Sequence, residues 1–550
     1  MESYQEDSIN PTRTEFIKSD QHTHDHTSEK STEEFDVDIP LDNSKCFLLK
    51  PTLPTTNLGT VYFKSDYDFM REVEIQYEKR IDKDLSLDWK DKKFRSYCVL
   101  YKAYKNLPEC INLPTKTNGV IRTKSFLKAN LIWKLLKIEK MSNLIKSLNK
   151  YQRYNHFPCT WQLGRKDNLC KNYKIMHKHF PADYNYLPAT YILPEDKDKF
   201  LKKVNNEPKA MWIIKPVSSS RGRGIRLMTN KESIPKKCLI SRYISDPHLI
   251  NNKKYDLRLY ILITGFSPLK IYLYEEGLVR FASEEYNIED NNMHNRFMHL
   301  TNYSVNKCSS RFDKSMINVE NECVGSKWSL TALKNYFRNN DLDFGEMWKK
   351  IKDIVVKTVL TIAEESSETT KNMTKNNNSL FELYGFDVLI DSNLEPWLIE
   401  VNLNPSLNCD TDLDLKIKSS LMANIFNTVG LVPYSHLHKK NKNPKILTLF
   451  SKNSSIEDNS EIEEDSSALY SEEKNKINQK NDVSSNMNED NSNLKSEIIE
   501  YSLEEFSRCG LFERVFPLKS NFEYYSKFLE KSDDENMILW NYIKNSVEEG

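Results

Sequence analysis

Two carboxylates and an amide lie close together in the stretch YGFDVLIDSNLEPWLIEVNLNPSL, residues 384–407. Two apolar runs, 386–390 and 397–401, flank a small polar turn at Asp391, Ser392 and Asn393, the pattern of a β-hairpin. Asp387 is near the start of the first run. Glu400 and Asn402 close the second and, being two apart, share a strand face. Three oxygen-bearing side chains gathered on one face suit a hard cation such as Mg²⁺, with room left for phosphate oxygens. A half-buried hairpin with surface carboxylates has the same D…E-x-N pattern, so the rest of the chain must decide.

A second group lies upstream. Lys215 ends the apolar run AMWIIKPV (210–217) and precedes the loop SSSRGRG (218–224). Small residues let backbone amides approach phosphate oxygens, and Arg221 and Arg223 supply positive charge. The loop lacks the G-x-x-x-x-G-K-[ST] pattern, which excludes a P-loop site. A strand lysine, a basic loop and a later acidic hairpin together read as an ATP-grasp-like arrangement, with nucleotide held between two sheets and a cation beneath its phosphates.

These groups need strands to hold them. The runs at 210–217, 237–244, 256–264, 270–277 and 278–283 read as strands, the last three as an antiparallel meander. Apolar spacing predicts helices over 124–150, 328–337, 344–365 and 412–429. The stretch 366–379 reads as a flexible insertion, and 297–307 as a polar, aromatic loop. Separate strand runs and helices predict an α+β body. The expected division is a disordered acidic tail over 1–44, N-terminal and central lobes over 45–205 and a catalytic core over 206–433. A basic exit and disordered acidic linker follow over 434–500, then a C-terminal helical segment over 501–550.

The chain of 550 residues is formally neutral, but its charge is uneven. Residues 1–40 hold 3 Lys/Arg against 11 Asp/Glu, residues 451–500 hold 5 against 13, and residues 501–550 hold 6 against 10. The remainder therefore carries about +20, which favours a polyanionic partner. Ten cysteines without a C-x-x-C pair read as reduced, mostly buried thiols. The polar, acidic start is unlike a signal or transit peptide, and no apolar run is long enough to span a bilayer. The alternating histidines His22, His24 and His26 read as part of a solvated tail rather than a metal site.

The blocks WIIKPVSSSRGRGI, LISRYISDP, KKYDLRLYILIT, GLVRFASEEY, FMHLTNYSVNK, SKWSL and YGFDVLID…PWLIEVNLNPSL, in this order, resemble the tubulin–tyrosine-ligase-like family, and CDTDLDLKIKSSL with LISRYI resembles its polyglutamylase branch. The resemblance runs from about Asn155 to Pro433. It implies an ATP-dependent ligase that joins free L-glutamate to glutamate side chains of tubulin C-terminal tails through an acyl phosphate. It implies that Lys215, Arg221 and Gly222 face the phosphates, that Ser241, Arg242, Tyr243 and Ile244 line the adenine, and that Lys254, Tyr255 and Asp256 adjoin the nucleotide. Thr301 and Asn302 would lie at its γ-end. Asp387, Glu400 and Asn402 would hold Mg²⁺. Arg280, Tyr303, Ser304 and Lys327 would form the amino-acid pocket, and Arg258 would stabilise the acyl phosphate. The catalytic set is then Lys215, Arg258 and Glu400. His299 has two readings, proton transfer or fixing the TNYS loop.

The implied partners are microtubules and free glutamate, with no nucleic acid and no membrane. The implied chain is a monomer on the cytoplasmic microtubule cytoskeleton, including cilia or basal bodies. A glycylase, a glutamylase of another acidic protein and a non-catalytic microtubule-binding relative are the alternatives. The intact Lys215, Asp387, Glu400 and Asn402 weigh against the last.

Overall fold

From Lys253 to Phe281 the chain alternates. Tyr255, Leu257, Leu259, Ile261 and Ile263 interleave with Lys254, Asp256, Arg258, Tyr260 and Leu262. A period of two makes a strand with two distinct faces. The computed structural model describes residues 63–72, 108–117, 129–217, 219, 222–228, 234–289, 292–312, 325–374, 376–432, 486–529 and 534–546, with short strand segments at 48–49, 60–61, 100–102 and 121–122. The acidic tail with its histidines, the basic exit and Arg221 lie outside the described residues, as do residues 451–485 of the linker.

Two antiparallel sheets position the site. The small one is built from β1 (Thr190–Leu193), β2 (Trp212–Lys215), β3 (Arg226–Leu227) and β4 (Cys238–Arg242), in the order β1-β4-β2-β3. It therefore takes β1 from the segment assigned to the lobes before residue 206. The large sheet contains β5 (Leu249–Ile250), β6 (Lys253–Phe266), β7 (Leu269–Phe281), β8 (Lys327–Ser329), β9 (Glu382–Ile390), β10 (Pro396–Asn402) and β11 (Phe512–Phe516). Its central order is β8-β7-β6-β9-β10, with β5 on β6 and β11 on β7. The expected meander is thus one long hairpin, since β7 runs unbroken through Gly277. Four short parallel strands, at 100–102, 121–122, 131–132 and 153–154, form a further sheet on the N-terminal side.

Each face of the large sheet is covered by helices. The odd-numbered residues of β6 pack with Phe386, Val388 and Ile390 against α1 (Leu330–Asn339) and α2 (Phe344–Leu360). On the opposite face Tyr260, Leu262, Tyr272 and Tyr274 pack against α4 (Asp412–Val429), through Ile417, Leu421 and Ile425. Burial of these apolar surfaces is the main stabilising term, at about 25 cal/mol per Å². Helix α4 starts at an N-cap, with Thr411 accepting from the Asp414 amide, and stops at Gly430, whose φ of 63° is left-handed.

Several expected elements differ. The helix predicted over 124–150 is the strand Leu131–Ile132 followed by a helix over Ile138–Ser147, because both faces of the earlier residues are buried rather than one stripe. The stretch expected as a flexible insertion begins as helix over its first eight residues, 366–373. Helix α3 (Ala363–Met373) continues past the end of α2, burying the short side chains Ser366, Ser367 and Thr370. The C-terminal segment is not helical throughout. Helix α5 (Asn486–Ser507) begins inside the expected linker, and β11 then joins the large sheet. No helix among the described residues is long and apolar enough to cross a membrane.

Candidate active site

Cross-strand register assembles the charges. Asp387 on β9 lies opposite Glu400 on β10 and opposite Arg258 on β6. Asp256 on β6 faces Arg280 on β7, which in turn faces Lys327 on β8. Residues two apart on each strand share a face, so these six gather on one side of the large sheet. A β-bulge in β10 inserts Ile399 between the pairs Asp387–Glu400 and Val388–Leu398, and such bulges re-aim the adjacent side chain.

The carboxylate of Asp387 is held by two guanidiniums. Arg258 Nε donates to Oδ1 at 2.6 Å and its Nη2 to Oδ2 at 3.2 Å, while Arg280 Nη2 lies 2.9 Å from Oδ2. Arg280 also grips Asp256, Nε to Oδ1 at 2.8 Å and Nη2 to Oδ2 at 2.5 Å. Burial opposes the charge on Asp387, but Arg258 and Arg280 outweigh it and hold its carboxyl well below the usual range. Gly385 makes room for this packing. A Cβ there would stand 2.8 Å from Pro405 Cβ and 3.2 Å from Arg258 Cδ.

A cleft separates the two sheets. Lys215, Ile213, Arg242, Tyr243 and Ile244 line it from the small-sheet side, and Lys254, Asp256, Asp387, Leu389, Ile399 and Glu400 from the large sheet. Its apolar walls would take a flat heterocycle, and its cations would take phosphates. Burial lowers Lys215 to about 8, opposed mainly by the Glu400 charge, and lowers Lys254 to about 7, opposed by Asp256. Thr301 and Asn302 border the same cleft. Gly222, with φ of 69°, packs against Asn302 and Val305, and Arg296 Nη2 donates to its carbonyl at 2.7 Å.

Two expected nucleotide neighbours point away. The Ser241 hydroxyl faces β1, accepting from Thr190 Oγ1 at 2.9 Å. Strand alternation puts Tyr255 on the far face of β6, in the apolar core, with its hydroxyl 2.9 Å from His248 Nδ1. The side chain of Arg242 is exposed and pairs with Glu207. His299 is a bracket. The Asn292 carbonyl 3.0 Å from Nε2 can only accept, so Nε2 carries the proton and Nδ1 accepts from the Tyr243 hydroxyl, also at 3.0 Å. Burial lowers its imidazole to about 4, so it is neutral at pH 7. Lys254 Nζ completes the chain, donating to Tyr243 Oη at 3.0 Å.

Beyond Glu400 and Asn302 the cleft opens into a larger cavity of about 590 Å³. Arg258, Arg280, Tyr303, Ser304 and Lys327 line it together with Asn402, Lys307, Asp414 and Lys418. The residues expected in the amino-acid pocket, Arg280, Tyr303, Ser304 and Lys327, thus share one cavity wall. Lys327 Nζ donates to Asp414 Oδ2 at 2.5 Å and sits 3.8 Å above the Tyr303 ring. Lys418 Nζ reaches Asp414 Oδ1 at 2.7 Å.

The Tubulin-tyrosine ligase family model matches residues 144–441, more than half of the chain. The chain belongs to the tubulin-tyrosine ligase family. It is similar to human tubulin polyglutamylase TTLL5, 38% identical over 409 residues that cover 72% of this chain and 31% of the relative. It is similar to mouse tubulin monoglutamylase TTLL4, 39% identical over 290 residues, 52% of this chain and 24% of the relative. Against tubulin polyglutamylase ttll-5 of Caenorhabditis elegans it is 31% identical over 431 residues, 74% of this chain and 59% of the relative. The chain thus spans less than a third of the length of the human and mouse relatives.

Within this ligase-family domain of mixed helices and sheets, the site includes residues that the sequence motifs do not single out. Lys166 places Nζ 2.9 Å from Glu400 Oε2 and 3.3 Å from the Ser219 carbonyl. Its RKD triplet follows a polar turn, but nothing local points to a carboxylate more than 200 residues away. Asp414 and Lys418 fall in the block CDTDLDLKIKSSL and in the helix expected over 412–429, but neither placement points to the cavity.

The donor set Asp387, Glu400 and Asn402 fits a divalent cation in chemistry. Asn402 Nδ2 donates to the Gly385 carbonyl at 3.3 Å, so its oxygen end is the part left for a cation. Two carboxylates and an amide oxygen suit Mg²⁺, which keeps waters and phosphate oxygens as its other ligands. Among the described residues no cluster of three His, Cys, Asp or Glu side chains forms a ready metal cage. Metal binding at Asp387 would therefore exchange arginine contacts for a cation.

Proposed function

We propose that this chain is an ATP-dependent ligase of the ATP-grasp-like type, adding glutamate through an isopeptide bond to glutamate side chains of tubulin C-terminal tails. The observation that carries this reading is the junction of two cavities at Glu400 and Asn302, one with apolar walls and lysines, the other lined by Arg258, Arg280 and Lys327. The first has the chemistry of a nucleoside triphosphate. The second has that of a dicarboxylate beside an acidic peptide, and the basic body supports attraction of such a tail. The relatives named above as tubulin glutamylases support the same acceptor, and with it a place on microtubules.

In this reading Lys215, Lys254 and Gly222 face phosphate oxygens, and Arg221, outside the described residues, is expected to join them. The backbone at Ser241–Ile244 and the wall of Ile213, Leu389 and Ile399 receive the base, and Thr301 and Asn302 sit at the γ-end. Bound Mg²⁺ would neutralise charge on the transferring phosphoryl group. Arg258 is the guanidinium that would stabilise an acyl phosphate. Arg280, Lys327, Tyr303 and Ser304 orient free glutamate so that its amine reaches the activated carbonyl. Glu400, with Lys166 beside it, holds the metal from the β10 side.

Labelled glutamate and, separately, labelled glycine should be offered with ATP to purified microtubules, followed by intact-mass analysis of the tubulin tails. Additions of glutamate mass are expected. Glycine additions would move the chain to a glycylase, and no addition with ATP bound would point to another acceptor or a non-catalytic role.

A further inference from the structure

Cys110 is in the helix Glu109–Thr117, and Cys409 is in the loop that follows β10. Both thiols address one acceptor. Cys110 Sγ lies 3.1 Å and Cys409 Sγ 3.5 Å from the Leu407 carbonyl oxygen. The sulfurs are thus no farther apart than these distances laid end to end. Their surroundings differ. Cys110 is buried, whereas Cys409 is half-buried and open to solvent. Burial pushes the Cys110 thiol well up. The neighbouring Cys110 thiol, aided by the Lys418 ammonium and against burial, pulls the Cys409 thiol down. An accessible thiol prone to ionise, backed by a second thiol, is the arrangement of an attacking and a resolving cysteine.

We propose that Cys110 and Cys409 form a modification site, at which a peroxide oxidant closes a reversible intramolecular disulfide. The Cys409 thiolate attacks a peroxide oxygen and the O–O bond breaks. With hydrogen peroxide, hydroxide leaves, takes a proton to become water, and Cys409 becomes a sulfenic acid. The Cys110 sulfur then attacks the Cys409 sulfur, the S–O bond breaks, and a second water departs with the Cys110 proton. The two thiols lose two electrons and the peroxide gains them. A small thiol reductant reverses the bond by exchange. The consequence is local. Pro108 and Leu407 both line the larger cavity, so the disulfide ties two parts of its rim together without touching Lys254 or Tyr243 in the cleft.

The test uses the full-length chain treated with hydrogen peroxide, alkylated, digested without reductant and analysed by mass spectrometry. A peptide joining Cys110 to Cys409 is expected, lost after dithiothreitol and missing from Cys409→Ser. Hydrogen exchange across residues 403–411 should slow by about threefold or more in the oxidised protein, because the rim opens less often. Cys110→Ser, at a fully buried position, can fail to fold, so Cys409→Ser with an unchanged Tm is the deciding variant. Exposed Cys308 is the internal control. A dose that oxidises Cys308 but leaves the pair reduced would overturn the proposal, as would Cys409 driven to sulfinic acid or joined to another cysteine. These readouts need no ligase activity, so their failure is separate from failure of the functional reading.

Discussion

Glu400 is the site carboxylate that can be tested with least damage to the fold. It is half-buried and pairs with Lys166, itself at the site. Glu400→Gln keeps its shape and removes one charge from the proposed metal set, so ligation should fall by about 100-fold or more, with little change in Tm. Normal turnover in that variant would sink the metal assignment. Arg280 is different. Its guanidinium bridges Asp256 and Asp387 in a buried setting, so Arg280→Ala should cost about 3–5 kcal/mol of stability by leaving buried carboxylates unpaired. It should also raise the glutamate KM more than the ATP KM, and equal rises would count against contact with glutamate. Lys254 gives a pH prediction. Phosphate favours its charged form, yet in the unliganded protein it titrates near 7. Below that value the charge is already present. Above it, binding must take up a proton, so ATP affinity should decline as pH rises from about 7 to 9. Calorimetry in buffers of different ionisation enthalpy should register proton uptake at pH 8.

At the scale of elements, the hairpin was the most legible part of the sequence, because two apolar runs around a polar turn have few alternatives. Asp387, Glu400 and Asn402 were readable from strand parity. The bulge at Ile399 was not, since nothing in a run of apolar residues marks which one is extra. Parity also removes Tyr255 from the cleft, which its place between Lys254 and Asp256 conceals unless the strand is read residue by residue. Short polar stretches misled in the other direction. Ser366 and Thr370 look like linker residues, but they fit a crowded helix face where larger side chains would clash. The C-terminal strand escaped because pairing depends on a distant partner. Its supporting helix α5 carries Glu505, which accepts from Lys270 at 2.7 Å and from Thr264 and Tyr272 at 2.5 Å each. Lys270 and Glu505 are each about 1% exposed. Glu505→Ala should therefore cost about 3–5 kcal/mol, and Lys270→Met with Glu505→Leu much less than the sum of the two single changes. Urea unfolding would measure both.

For the whole molecule, the formal neutrality of the chain conceals an electrostatic division that composition by segment reveals. A body carrying about +20 between acidic ends should meet acidic peptides through long-range attraction, which salt screens within about 10 Å at 0.1 M. Raising ionic strength from about 0.05 to 0.3 M should weaken association with microtubules several-fold, mainly through a slower on-rate. ATP affinity should respond less, because Lys215 and Lys254 act inside a cleft. Equal sensitivity of the two would place the attraction at the nucleotide rather than on the surface.

The seating of β11 on β7 has a consequence in time. A ribosome delivers β7 long before β11, and about 230 residues separate the end of one from the start of the other. At about 5–20 residues per second, that part of the sheet margin stays uncovered for roughly 10–50 s in every round of synthesis. Its backbone amides and carbonyls are then open to any passing strand. Factors that cover exposed strand edges are therefore expected to bind the nascent chain until β11 emerges, and faster translation of the intervening segment would shorten that exposure.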